Sequence, residues 1–209
     1  MASFVIRTLG ELGDELSLAP ERQRASELAG GGVALEDLVV LRNERLAPED
    51  IGRALILDTT HTRDGLVDLV SARRASAPPR SAKKRVRAGD LLVSRLRPYL
   101  RQIAFVHPRA VAACGGVPLG CSTEYYVLAP RDGQRLEYLL PFLLGPEAQA
   151  FLAAGQEGGH HPRVPLETLL ALRVPVGVVR SRAPASVRVD ASLAEVYRAL
   201  GDFQRALGA

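Results

Sequence analysis

Cys114, Cys121 and the adjacent pair His160 and His161 are the residues of this chain best suited to nucleophilic or metal chemistry. A thiol beside an imidazole is a nucleophile beside its base, so Cys121 with either histidine is one arrangement to weigh. The stronger reading is that both cysteines are small buried residues, since free cysteine is among the most buried residue types. The same four side chains make a poor zinc set. Tetrahedral sites draw their ligands in short-spaced pairs, whereas these cysteines stand seven positions apart and the histidines are neighbours. The chain carries no Gly-rich phosphate loop, dinucleotide fingerprint, HExxH helix or GxSxG elbow. The methyltransferase pattern of Asn/Asp-Pro-Pro-aromatic is missing as well; Pro78 and Pro79 lie between Ala77 and Arg80. A nuclease of the carboxylate-and-lysine type needs a lysine near its acids, and Lys83 and Lys84 have none close in sequence. No catalytic residue, metal or cofactor is expected.

The basic residues are more informative. KKRVR at 83–87 precedes the turn Gly89-Asp90, and RLRPYLR at 95–101 follows the apolar run LLVS. On a strand Arg95 and Arg97 would share one face, Pro98 would turn the chain, and Tyr99 and Arg101 would continue the rim. Neutralising phosphates takes several guanidiniums on one surface, and reading bases takes a few that project into a groove. Arginine is suited to bidentate contact with guanine edges. The competing reading is a solvated face, because 25 of the 27 basic residues are arginine, a skew typical of GC-rich genomes. Position therefore weighs more than number. Residues 1–60 hold 6 basic and 11 acidic side chains, residues 61–110 hold 12 and 3, and the remainder 9 and 9.

These residues need a scaffold, and 209 residues at 47% hydrophobic content suffice for one domain without staples. Two cysteines make no disulfide framework. The N-terminal stretch lacks the pattern of a signal peptide, and no apolar run reaches the roughly 18 residues of a membrane span. A soluble cytoplasmic protein with no membrane contact is expected. Residues 18–28 read as a helix ended by Gly30, Gly31 and Gly32, and residues 33–46 are ambiguous between strand and helix. Strands are predicted at 53–58, 65–70, 90–96, 102–107, 110–114 and 123–129, separated by turn signals. Helices follow at 135–144 and 147–155, then a Gly-rich loop at 155–164, a helix at 165–172 and a strand at 173–179. Residues 180–189 read as a polar linker. The last helix, 190–207, has Asp190 placed as its cap and Leu193, Val196, Leu200, Phe203 and Leu207 along one face.

The fold class is thus α+β, a curved, largely antiparallel sheet with short flanking helices plus a C-terminal amphipathic helix. Residues 1–50 form a helical and loop segment packing on the domain, 51–180 the main domain, and 181–209 a linker and docking helix.

Taken in order, GDLLVSRLRPYLRQIAFV (89–106), GCSTEYYVL (120–128), YLLPFLL (138–144) and GGHHPRVPLETLLALRVPV (158–176) resemble the target recognition domain of type I restriction-modification specificity subunits. The resemblance covers about residues 50–179, and more loosely 33–50. It implies a non-catalytic protein reading half of a split DNA site while partner subunits carry methylation and cleavage. In that family two such domains are separated by long paired helices, whereas this chain has one domain and one short terminal helix. The resemblance implies mainly architectural roles for Gly89, Asp90, Ser94 and Arg95 and for Cys121 to Tyr125, with Ser122, Thr123 and Glu124 securing turns or buttressing the basic loop. It matches Arg163 to the arginine of the Gly-rich loop. Contacts to double-stranded DNA are expected from Lys83, Lys84, Arg85, Arg95, Arg97, Arg101 and Arg163, with His160 and His161 as lesser candidates. A DNA methyltransferase subunit is the expected partner, and a homodimer through residues 190–207 would read a two-fold site. The alternative is a recognition fold repurposed as a protein-assembly module.

Overall fold

The strands that carry the basic rim are buried on both faces, which is why their sequences are unbroken apolar runs and not alternating ones. The computed structural model describes residues 32–75, 82–158 and 162–208. Its strands are β1 (Val33–Ala34), β2 (Val39–Leu41), β3 (Leu55–Leu57), β4 (Thr62–Arg63), β5 (Leu66–Val67), β6 (Lys84–Val86), β7 (Leu91–Ser94), β8 (Ile103–Phe105), β9 (Leu119–Cys121), β10 (Tyr125–Pro130) and β11 (Arg173–Val174). A four-stranded antiparallel sheet, ordered β2-β10-β7-β8, forms the centre. Beside it lies a three-stranded sheet, β3-β9-β6, in which β3 and β9 run parallel and β9 and β6 antiparallel. Two small antiparallel pairs, β1-β11 and β4-β5, complete the strands. The class is α+β; among the described residues the pairing is antiparallel save for β3 on β9 and the isolated bridge between Gly65 and Ala104.

Side chains alternate across the central sheet and divide the core in two. Leu91, Val93, Ile103, Phe105, Tyr126 and Leu128 face the helices at 139–143, 146–154 and 166–171. Leu92, Ala104, Tyr125 and Val127 face the three-stranded sheet and the helices at 69–74 and 108–113. Each large side chain removed from water in this way contributes roughly 1.5–3 kcal/mol. The sheet is held at its entry by Asp90, fully buried, whose carboxylate accepts from Arg42 Nε at 3.1 Å and from the Arg87 amide at 2.8 Å. Gly89, at φ 90°, makes the turn that precedes it.

Several elements differ from expectation. Residues 33–46 resolve into strand, helical turn and strand, with β2 an edge of the central sheet, so the folded body reaches back before residue 51. The expected strand at 110–114 is the helix Pro108–Ala113: Pro108 sits at its first position and His107 Nδ1 accepts from the Arg109 amide at 3.1 Å. The apolar letters of AVAAC suit a buried helix face equally well, and the cap decides. The strand expected at 173–179 stops at Val174, because Pro175 opens a short helix at 176–180.

The expected linker at 180–189 is helical too, apart from the turn at Ser181. A single helix runs from Arg182 to Gly208, 27 residues. Pro184 falls in its first turn, where amides have no partner in the helix, so it breaks nothing. Asp190 accordingly lies inside the helix and not at its cap. Its carboxylate meets His107 Nε2 at 3.1 Å and Arg135 at 3.2 Å. Tyr197, two turns on, stacks on the His107 ring with centroids 5.7 Å apart and accepts the Val67 amide at 2.9 Å. Buried Ser186 and Leu193 complete the packed face, beyond which Leu200, Phe203 and Leu207 are exposed.

Candidate nucleic-acid interface

The basic residues predicted from the sequence do not form one free cationic patch; most are tied to acids from elsewhere in the chain. Strand β7 ends at Ser94, whose hydroxyl accepts the Leu96 amide at 3.2 Å and closes a tight turn. Arg95 and Arg97 therefore do not share a strand face, contrary to expectation. The Arg95 amide donates to the Glu124 carbonyl at 3.0 Å, and Val164 donates to the Arg95 carbonyl at 2.8 Å. Leu96 pairs with Arg163 in an isolated antiparallel bridge. Three segments distant in sequence thus meet at one rim: the end of β7, the turn before β10, and the loop ahead of the helix at 166–171.

Glu124 is the centre of that rim. Its carboxylate accepts from Arg95 Nε at 2.7 Å and from Arg163 Nη2 at 3.2 Å. Burial opposes its charge, yet the hydrogen bonds from Arg163 and Arg95 outweigh this and hold the carboxyl below the usual carboxylate range. The expected buttressing role of Glu124 is seen in this arrangement. The loop behind it is closed where Glu157 and Arg163 exchange amide–carbonyl bonds, each 2.8 Å. His160 and His161, predicted on that loop, lie outside the described residues.

The KKRVR segment supplies β6, the edge of the three-stranded sheet, and its side chains diverge. Lys84 turns inward. Its ammonium donates to the Tyr125 carbonyl at 2.7 Å over the Tyr126 ring, and burial pulls its pKa down. Arg85 points away, to Glu44 at 3.1 Å and Asp50 at 2.5 Å. Hydrogen bonds from Arg53 and Arg85 hold the Asp50 carboxyl below its usual value. Arg87 pairs with Glu44 at 2.7 Å, and Lys83 is half-buried. Glu44 and Asp50 come from outside residues 61–110 to meet Arg85 and Arg87, and Asp64 within the segment meets Arg63 and Arg101, so part of the +9 is offset by pairing that segment-wise counting in the sequence could not display.

Beyond Arg95 the chain enters the 3-10 turn Pro98–Leu100, with Arg97 and Arg101 on either side of it. Arg101 Nε donates to Asp64 at 2.7 Å. Arg97 is exposed, and its guanidinium makes no hydrogen bond or ion pair among the described residues. Arg95, Arg97 and Arg163 are therefore brought together, Lys84 lies just beneath them, Arg101 is at the far end of the turn, and Arg85 is elsewhere.

The cysteines are not chemical residues. Cys121 is fully buried and burial pushes its thiol up to about 12; Cys114 is buried and raised for the same reason. A thiol so placed stays protonated at neutral pH and is no nucleophile. Among the described residues no three His, Cys, Asp or Glu side chains gather as metal ligands. The sequence reading missed the His107, Asp190 and Tyr197 cluster. The dipeptide His107-Pro108 carried its signal, as a cap followed by the first residue of a helix.

Comparison with solved structures shows a likeness of fold. A chain from a structure of the type I restriction-modification system, solved to describe its complex assembly and conformational transition, superposes with a TM-score of 0.53 over 83% of this chain at 20% identity. The fold is thus like that of a target recognition domain. The HsdS subunit from Thermoanaerobacter tengcongensis also matches, at 20% identity over the same share, with a TM-score of 0.48. The present chain covers 45% of each of those chains, under half their length. No family model matches the chain, and no curated protein does. Among the described residues, no helix is long and apolar enough to cross a membrane.

Proposed function

We propose that this chain is a non-catalytic, half-size specificity subunit that reads duplex DNA in a type I-like restriction-modification or methylation system. The observation that carries the reading is the rim at Glu124. Arg95 and Arg163, matched to the recognition domain from separate motifs, meet there beside the exposed Arg97. The fold likeness supports it, since the matched solved chain comes from a type I restriction-modification system. In this reading Arg95, Arg97, Arg101, Lys83 and Arg163 line the DNA-facing side, with His160 and His161 on the adjoining loop. Lys84 and Arg85 act mainly through the folded structure. Residues 51–180, with the strands at 33–41, form the recognition unit. A DNA methyltransferase subunit supplies the chemistry in the cytoplasm, so the chain needs no cofactor of its own. The undocked end of the 190–207 helix, carrying exposed Leu200, Phe203 and Leu207, joins two copies, and a two-fold dimer reads a two-fold split site.

Anisotropy titration of the full chain with a pool of randomised duplexes at low and moderate salt tests this. Binding is expected to weaken steeply with salt, and Arg97→Ala to lower the slope of log K against log salt by about 1. A chain that binds no duplex at low salt, alone or with a co-expressed methyltransferase subunit, would be the repurposed assembly module instead.

A further inference from the structure

Three residues other than glycine adopt left-handed backbone among the described residues, and they stand together: Asp64 at φ 48°, Arg97 at φ 44° and Arg101 at φ 51°. The turn at Asp64 is bound to the turn at Arg101 twice, side chain to side chain at 2.7 Å and Asp64 amide to Arg101 carbonyl at 3.2 Å. The Arg97 amide reaches the Pro162 carbonyl at 3.4 Å, at the closing end of the Gly-rich loop. Between the two arginines Pro98 is buried, and Tyr99 is turned outward, 64% exposed, with Leu100 half exposed beside it.

Residues with a Cβ avoid this backbone region and glycine does not. Arg101 is held there by its pairing with Asp64. Arg97 has no such partner, and a glycine would take its backbone without strain; what the arginine adds is a free guanidinium. Strain that the surroundings sustain without structural return is characteristic of binding surfaces. The chemistry along the turn reads cation, aromatic tip, cation, with the exposed Arg63 sharing the Asp64 carboxylate with Arg101. Guanidiniums on the flanks suit the two rows of phosphates that border a groove. An aromatic tip has nothing to gain from phosphate and suits base edges and sugars between the rows.

We propose that the Arg97–Arg101 turn enters a groove of duplex DNA, with Tyr99 as a base-contacting, specificity-determining tip and Arg97 as a phosphate contact. The proposal rests on the DNA-reading function above and assigns the readout to a residue outside the basic set.

The test is selection by the full-length chain from short duplexes with a randomised centre, for wild type, Tyr99→Ala and Arg97→Gly, with thermal melting of each protein. Wild type is expected to enrich a motif. Tyr99→Ala should lose about tenfold of the enrichment at one or two positions, with unchanged affinity for unselected duplex, unchanged salt slope and unchanged melting. Arg97→Gly should bind every sequence more weakly, with the salt slope lower by about 1 and melting no lower than wild type. If wild type enriches a motif and Tyr99→Ala enriches it equally, the tip assignment fails while the DNA reading stands. A fall in Tyr99→Ala melting that accounts for its lost binding would also overturn it. If wild type enriches nothing, both fall together.

Discussion

Glu124 shows how a residue chosen for its charge can serve the fold and the site at once. Its carboxylate joins two arginines from segments that are 68 positions apart, so removing it frees both guanidiniums and loosens the rim. Because its folded pKa is depressed, the stability it contributes is complete above the unfolded carboxylate value and is lost as pH falls through the folded one. Glu124→Gln is therefore expected to cost about 1 kcal/mol at pH 7 and to flatten part of the acid limb in urea melts between neutral and low pH. Asp90 behaves oppositely. Burial pushes its carboxyl above the usual carboxylate range despite Arg42, so it adds nothing to that limb. Its loss leaves Arg42 without its buried partner, and Asp90→Ala should cost about 3 kcal/mol in urea unfolding. For the thiols, neither Cys114 nor Cys121 should react with an alkylating reagent at mildly alkaline pH until the chain is unfolded; ready labelling of native Cys121 would contradict its burial.

At the scale of elements, the C-terminal helix divides near Arg198. Its first half is clamped by Asp190 on His107 and Arg135, by Tyr197 on Val67, and by buried Leu193. Its second half presents Leu200, Phe203 and Leu207 to solvent, the last two 61% and 72% exposed. Leu193→Ala should cost about 2–3 kcal/mol, whereas truncation after Arg198 should leave the monomer's melting nearly unchanged, because no buried contact is lost. The amphipathic stripe was legible in the sequence; its division into a docked and an undocked half was not. Periodicity reports that a face is apolar, and only the body of the protein decides how far that face is covered. The same limit explains the helix at 108–113, where short apolar letters without a period fit either structure and a cap settles the matter.

For the whole molecule, the relevant property is charge after folding. Residues 61–110 carry 12 basic side chains against 3 acids in sequence. In the fold Glu44, Asp50 and Glu124 come from outside the segment to meet Arg85, Arg87 and Arg95, while Asp64, one of its own three acids, meets Arg101. Ion pairs at a partly exposed surface are weak individually, roughly 0–1 kcal/mol, so in the proposed function duplex DNA would compete for several of these guanidiniums as salt falls. The two-copy arrangement belongs to this scale as well. Phe203→Ser with Leu207→Ser should convert a dimer to a monomer in size-exclusion chromatography with light scattering, and should weaken binding to a two-fold site more than to half of it. A chain that is monomeric before and after the changes would remove the dimer from the proposal.

By itself the sequence determined the apolar runs that become β7, β8 and β10, the α+β class, the Gly89-Asp90 turn and the order of motifs that resembles a recognition domain. Those features are local: each depends on a run of side chains or on a turn residue within a few positions. Only the tertiary structure decided which arginines of the predicted set are paired and that, among the described residues, Arg97 is not. Partners such as Arg42 with Asp90, Arg85 with Asp50 and Arg163 with Glu124 lie 48, 35 and 39 positions apart. Electrostatic interaction depends on distance in space and not along the chain, so no count along the sequence could have distinguished Arg85, paired, from Arg97, which stands exposed beside a left-handed, tyrosine-tipped turn.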